Sequence, residues 1–451
     1  VRAVDLIIEA RWVVPVAPRG AVLHDHAVVV DGGNIVAVLP RNQARTQFTA
    51  REIVSRPTHA LIPGLVNAHC HAAMSVMRGI ADDLPLMTWL NDHIWPTENA
   101  LVSAEFVADG VEIAAAEMLA GGVTAVNDMY FFPEVAVEAY RRAGMRVAIG
   151  LIVMEFPTPY ARDADEYLSK ALALADALKG DPLIHACFAP HAPYTVSDAS
   201  FERIRVYADQ LGLRVHIHVH ETAFEVEDAK RQFNERPLAR LKRLGFLNAD
   251  LTAVHMTQLL PGEIVDLARQ GVVVVHCPES NLKLASGFCP VGELLKAGVP
   301  VALGTDGSAS NNDLDVFGEM RTAALLAKGV SGDPAVMDAA TALEAATLGG
   351  ARAIGLEDRI GSIEVGKAAD LVAVDFNRLE LSPVFSPLSH LVYAVSRRDV
   401  SDVFVAGQAR VREFELLGVD LERLKANAAR WALKAEAAVA ARAVAALSST
   451  L

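Results

Sequence analysis

The chain has 451 residues, of which 52% are hydrophobic and 21% charged, and its formal net charge is −14. That composition supports a large buried core, and the acidic balance argues against nucleic acid and anionic membranes, whose recognition rests on Lys and Arg meeting phosphate. No apolar run reaches the ~20 residues of a bilayer-spanning helix, no amino-terminal stretch has the basic, apolar and small-residue order of a secretory signal, and Cys70, Cys187, Cys277 and Cys289 form no Cys-x-x-Cys pair, so a reducing cytoplasm is the expected location.

Residues 1–60 are expected to form short strands at 5–9, 12–16, 27–30 and 35–39, with Asp31-Gly32-Gly33-Asn34 as a hairpin turn. From residue 61 onward, eight apolar runs alternate with amphipathic stretches. The runs lie at 61–68, 123–127, 146–151, 184–189, 214–219, 251–254, 271–275 and 299–304; the stretches include 104–120, 198–211, 262–270 and 291–297. Strands alternating with helices form parallel βαβ units, and eight of them predict closure into a (β/α)8 TIM barrel. The runs are continuous in Val, Ile and Leu, as strands buried on both faces are. A doubly wound open sheet would bring a Gly-rich phosphate turn after its first strand, and the sequence has none. Strands return at 371–374 and 403–406, too short to stand alone. The expected organisation is a barrel over 61–363, a small β-sandwich built from 1–60 and 364–417, and an Ala-rich C-terminal helix within 418–451.

The chemistry gathers where the runs end. The first leads into His69-Cys70-His71, and the fourth is followed by His191. The fifth gives His216, His218, His220 and Glu221; the sixth gives His255, the seventh His276 and the eighth Asp306. In a (β/α)8 barrel the carboxyl ends of all strands converge on the face that carries the active site. His69 and His71, two apart on extended chain, point the same way and place two imidazoles on one cation. Two ordinary histidines satisfied by backbone would show the same spacing. His216, His218 and His220 share a face by the same rule, and spacing leaves open which of them binds metal. Asp306 has a bland alternative as a helix N-cap. In a barrel whose other strands supply histidines, a metal role outweighs it.

Pro63-Gly64-Leu65-Val66-Asn67-Ala68-His69-Cys70-His71 resembles the amidohydrolase superfamily, and the likeness runs to Gly366-Lys367-Ala368-Ala369-Asp370-Leu371. Residues 89–98, Ala189-Pro190-His191-Ala192-Pro193-Tyr194-Thr195, His218-Val219-His220-Glu221-Thr222 and Gly304-Thr305-Asp306-Gly307 are more specifically similar to the bacterial 5′-methylthioadenosine/S-adenosylhomocysteine deaminases. The resemblance implies hydrolytic deamination of an adenine nucleoside, 5′-methylthioadenosine first and S-adenosylhomocysteine or adenosine second, to the inosine analogue and ammonia. The family's His-x-x-Glu pattern selects His218 with Glu221. One divalent ion per subunit, zinc first, would be held by His69, His71, His218 and Asp306; iron and manganese also suit such donors. Two-metal relatives place a carboxylated lysine at the end of the fourth strand, and residues 184–195 contain no lysine, which implies one metal.

The resemblance also implies that Trp89 packs on the purine, Glu98 accepts both ribose hydroxyls and His191 contacts the substrate. Glu221 would protonate the ring nitrogen beside the attacked carbon, while His255 and Asp306 orient the water and take its proton. His216 is expected deeper in the barrel, Asp128 as a structural partner, and His276, Ser280 and Asn281 at the mouth without a chemical role. A homocysteine carboxylate would welcome an arginine, for which Arg162 is the candidate. The competing readings are a guanine- or triazine-type aminohydrolase or a chlorohydrolase on the same scaffold, and a catalytically silent barrel acting as an interaction protein. Retention of every ligand position argues against the silent barrel. The expected partner is a small-molecule nucleoside, and a homodimer or homotetramer is compatible with the family.

Overall fold

The computed structural model describes residues 1–448, with side chains through residue 440; the end of the 418–451 segment lies outside the described residues. Its strands sort into two sheets. β1 (Arg2–Val13), β2 (Leu23–Asp31), β3 (Asn34–Pro40) and β4 (Phe48–Pro63) come from the start of the chain. β5 (Leu65–Cys70), β6 (Val123–Asp128), β7 (Arg146–Val153), β8 (Ile184–Pro190), β9 (Val215–Val219), β10 (Leu251–His255), β11 (Val273–His276) and β12 (Val301–Leu303) follow. β13 (Leu371–Asp375), β14 (Val400–Val405), β15 (Gln408–Arg412) and β16 (Glu415–Leu416) come last.

β5 to β12 pair in sequence order, every neighbour parallel. The seam between first and last strand closes through a parallel bridge from Cys70 to Asp306, with the Asp306 N–H donating to the His69 carbonyl at 3.1 Å. β6 and β7 are buried at every position, which explains their continuous apolar sequence. Helices fill the connections. The helix Ala104–Ala120, for example, is capped by Ser103, whose hydroxyl accepts the Phe106 N–H at 3.2 Å.

The other eight strands form one mixed sheet, ordered β16-β15-β14-β13-β4-β1-β2-β3. It curls until its two ends face each other: a Cβ on Gly407 would lie 3.0 Å from Val30, and Phe404 and Leu371 share a buried cluster with Leu6, Ile8 and Val28. This is the sandwich expected from both chain ends. A short helix, Arg41–Gln47, covers an outer face by burying Ala44 beside Ile7 and Val29.

The run at 61–68, expected as the first barrel strand, is divided between the two sheets. Residues through Pro63 belong to β4, which pairs with β1 and β13, and the barrel begins at Leu65. Gly64 is the crossing point, where a Cβ would meet Thr124 Oγ1 at 2.0 Å. The backbone must pass that close for one apolar run to serve two sheets.

Two further contacts lock the assembly. Arg146 of β7 makes a bidentate pair with Asp370 at 2.9 and 3.1 Å, and both side chains are buried. The C-terminal helix Leu421–Ser448 docks through Trp431, whose indole N–H donates to Asp109 at 2.8 Å. Among the described residues no helix is long and apolar enough to cross a membrane.

Candidate active site

Four side chains from three strand ends converge. His69 lies on β5, His71 just beyond it, His218 on β9 and Asp306 beyond β12. Each imidazole is fixed through Nδ1: His71 donates to the Met129 carbonyl at 2.5 Å, His218 to the His191 carbonyl at 2.7 Å, and His69 faces His216 Nε2 at 3.0 Å. The Nε2 atoms are thereby aimed inward. Those of His69 and His218 stand 3.1 Å apart, and Asp306 Oδ1 lies 3.3 Å from His69 Nε2 and 3.2 Å from His71 Nε2. One ligand atom from each of the four lies within 4.8 Å of all the others.

The electrostatics match a cation at the centre. Burial pushes His69 down to about 4 and His218 well below the usual imidazole range, so both rings are neutral donors. Burial also disfavours a charged His71, but its contact with Asp306 overrides this and brings it to about 9. Burial alone would raise Asp306; the two facing histidines outweigh it and hold the carboxyl well below its ordinary value. An ionised carboxylate beside two neutral imidazoles, with the His71 proton facing Asp306, leaves a place that a divalent ion fills when it displaces that proton. Three imidazoles and a carboxylate, with space beside them, form the donor set of a catalytic zinc site. The residues present fit a divalent metal ion.

The backbone is strained at the same place. His220, His255, Met256 and Asp306, none of them glycine, have φ of 55°, 76°, 51° and 60°. Such left-handed residues are uncommon and concentrate at functional sites. Gly304 allows the close approach of β12: a Cβ there would lie 2.8 Å from the Cβ of His69.

The cluster borders a cavity that is open to solvent at its mouth. Its concave lining, mostly apolar with a few converging polar groups, suits a small-molecule ligand. Glu221 and His255 belong to that lining, with Glu221 Oε2 3.8 Å from His255 Nε2. Burial raises the Glu221 carboxyl above its ordinary value. His255 Nδ1 donates to Asn281 Oδ1 at 2.9 Å, and Ser280 Oγ donates to Asp306 Oδ2 at 2.7 Å. The lining also carries Trp89, Trp95, Phe131 and Met154, together with Glu98. Trp89 opens a wide helical turn, Trp89–Ile94, and its indole N–H donates to the Ala81 carbonyl at 3.1 Å. His191 also lines the cavity; its Nδ1 meets Thr195 Oγ1 at 3.1 Å, and burial lowers it to about 3.

The metal-binding and catalytic candidates, with Trp89, Glu98 and His191, therefore gather around one cavity. His216 lies one layer below, against His69. His220 turns away and accepts the Leu238 N–H at 3.2 Å. Asp128 accepts the Ala72 N–H at 3.0 Å and the Tyr140 hydroxyl at 2.9 Å. Arg162 is a correction: its side chain is 84% exposed, bonds Glu166 at 2.9 Å and does not line the cavity. Ser280 and Asn281, expected only to shape the mouth, bond directly to Asp306 and His255. Sequence reasoning missed Tyr130, which lines the cavity and donates to Glu98 at 2.6 Å.

Comparison with known proteins agrees with this geometry. The model of the amidohydrolase family matches residues 60–410. A 5-methylthioadenosine/S-adenosylhomocysteine deaminase of Teredinibacter turnerae is 48% identical over 95% of this chain and 97% of its own length. Its counterpart from Saccharophagus degradans is 46% identical over 96% and 97%. The crystal structure of an adenosine deaminase from Xanthomonas campestris with bound zinc superposes with a TM-score of 0.96 at 56% identity, covering 97% of this chain and 99% of that one. Strand order, cluster and relatives agree, and the chain belongs to the amidohydrolase family.

Proposed function

We propose that this chain is a mononuclear metal-dependent deaminase that converts an adenine nucleoside to its inosine analogue and ammonia, with 5′-methylthioadenosine the first substrate and S-adenosylhomocysteine or adenosine the next. The observation that carries the reading is one cavity with two kinds of lining: a cluster of three histidines and an aspartate with Glu221 and His255, and aromatic side chains with the buried carboxylate of Glu98. Relatives at 46–48% identity that bear the deaminase name support the substrate class.

His69, His71, His218 and Asp306 would hold the ion, zinc first. A bound divalent cation supplies Lewis acidity and lowers the pKa of water from 15.7 to about 7, giving a nucleophile at neutral pH. The protein's own groups do the rest. Glu221, whose carboxyl burial pushes above its ordinary value, donates to the ring nitrogen next to the carbon that bears the amine. His255, with Nδ1–H committed to Asn281, turns Nε2 toward Glu221 and the cavity and accepts the water proton together with Asp306. Ser280 occupies Oδ2 of Asp306 and leaves Oδ1 directed at the histidines. The proton taken from water passes to the amine, which leaves as ammonia as the C–N bond breaks, and the new hydroxyl gives its proton back to Glu221 as the carbonyl forms. Trp89 gives the purine a flat apolar face, and Glu98 offers acceptor oxygens to the ribose hydroxyls.

The test is to load the purified chain with zinc, count bound metal, and follow the conversion of adenine to hypoxanthine absorbance with 5′-methylthioadenosine. Turnover of this nucleoside ahead of guanine and triazine substrates, with one metal per chain, is expected. Preference for guanine or a triazine would move the chain to the rival aminohydrolase reading.

A further inference from the structure

We infer that Tyr130 is a positioning residue for ribose binding, holding one oxygen of Glu98 so that the other faces the substrate hydroxyls. The inference rests on the deaminase reading above. Its basis is a buried carboxylate with a single strong anchor. Glu98 is 7% exposed and Tyr130 6%, and both line the cavity. The phenol donates to Glu98 Oε1 at 2.6 Å. Among the described residues, the side chains that act on the charge of Glu98 are Tyr130 and His71.

The location of Tyr130 in the chain gives the contact a second meaning. Asp128, Met129 and Tyr130 are consecutive, directly at the end of β6. Asp128 accepts the Ala72 N–H at 3.0 Å, the Met129 carbonyl accepts from His71 at 2.5 Å, and Tyr130 holds Glu98. One short segment thus anchors both a histidine of the cluster and the carboxylate of Glu98, and ties the position of one to the other. Glu98 sits on the separate helix Trp95–Leu101, so this bond sets its distance from the cluster. The ring of Tyr130 is itself held by Phe131 at 5.2 Å and Phe106 at 6.4 Å between centroids. A phenylalanine at 130 would keep that packing and lose only the hydroxyl.

The experiment compares wild type with Tyr130→Phe on 5′-methylthioadenosine and on its 2′,3′-dideoxy analogue, with thermal unfolding as the check on folding. The variant is expected to raise KM for the ribonucleoside about tenfold, the equivalent of ~1.4 kcal/mol. Its kcat should stay within about twofold, since the cluster is untouched. KM for the dideoxy analogue should not move, because that analogue has no hydroxyl to meet Glu98. Equal changes for both nucleosides, or no change for either, would overturn the inference. Absence of turnover by wild type would refute the deaminase reading instead. Equilibrium binding of the two nucleosides then decides Tyr130: a loss confined to the ribonucleoside supports the role, and a common or absent loss refutes it.

Discussion

Glu221→Gln separates proton donation from metal binding. The backbone of Glu221 is pinned on both sides: its N–H donates to Glu225 at 2.7 Å and its carbonyl accepts from Thr257 at 2.7 Å. A glutamine of equal shape therefore stays in place at a site only 6% exposed. The carboxyl is not one of the four grouped ligand atoms, so metal content should remain at the wild-type value. What the amide cannot do is deliver an acidic proton. Loss of one general acid costs about 100- to 10,000-fold in rate, which at 1.36 kcal/mol per tenfold is ~3–5 kcal/mol on the barrier. The expected result at pH 7 is a kcat lower by at least about 100-fold, with KM changed by no more than a few-fold and full metal occupancy. Burial raises the Glu221 carboxyl, so the wild-type rate should fall on the alkaline side as the proton is lost. A variant within tenfold of wild type, or a rate loss matched by metal loss, would refute Glu221 as the proton donor.

The other expectations are narrower. Ser280→Ala removes the donor to Asp306 Oδ2, and competition against a chelator should show metal affinity or rate lower by about 10- to 100-fold; unchanged values would remove Ser280 from the site. Burial lifts Glu98 to about 7, so its ionised, acceptor form grows as pH rises from 6 to 8, and KM for ribonucleosides should fall over that interval while KM for dideoxynucleosides stays flat. The stability sign is opposite: a carboxyl raised from 4.5 contributes stability below its unfolded value and loses it as pH rises through about 7. Arg146→Met strands Asp370 in a site where both side chains are 1% exposed, which should cost about 3–5 kcal/mol in urea unfolding at fixed metal concentration. A cost under about 1 kcal/mol would show that water reaches the pair.

Much of this architecture was legible because barrel strands carry a simple code. Continuous apolar runs separated by helical stretches can be counted, and the polar residues that interrupt them fall at strand ends, where a barrel brings distant positions together. The three histidines of the fifth run show where the code stops. Period-2 alternation puts all three on one face. In the structure β9 ends at Val219, and His220 adopts φ 55°, so the alternation breaks one residue before it. His218 reaches the cluster, His216 supports His69 from below, and His220 swings out to Leu238. Spacing could not show that break. Nor could it show the Met129 carbonyl, because a backbone acceptor carries no side-chain signature. Ser280 and Asn281 were visible in the sequence but silent, since their partners lie 26 residues away and meet them only across the barrel mouth. The divided run at 61–68 had its clue in Pro63-Gly64, a breaker pair inside an apolar run.

The two kinds of cavity lining are built on different elements, and this bears on what can vary. His69, His218 and His255 sit on strands paired on both sides, or at the closing seam. A one-residue slip of β9 would bring Ile217 or Val219 to the position of His218, so any working barrel must keep this register. Trp89 and Glu98 sit in helical turns between β5 and β6, and Tyr130 lies just past β6, where the backbone is not held by a sheet ladder. On the deaminase reading, residues 86–98 and 129–131 choose the nucleoside and the strand ends perform the hydrolysis. Substitutions in those two segments should therefore exchange one substrate for another at nearly constant metal affinity. Substitutions of His69, His71, His218 or Asp306 should remove metal and activity together, whichever substrate is offered.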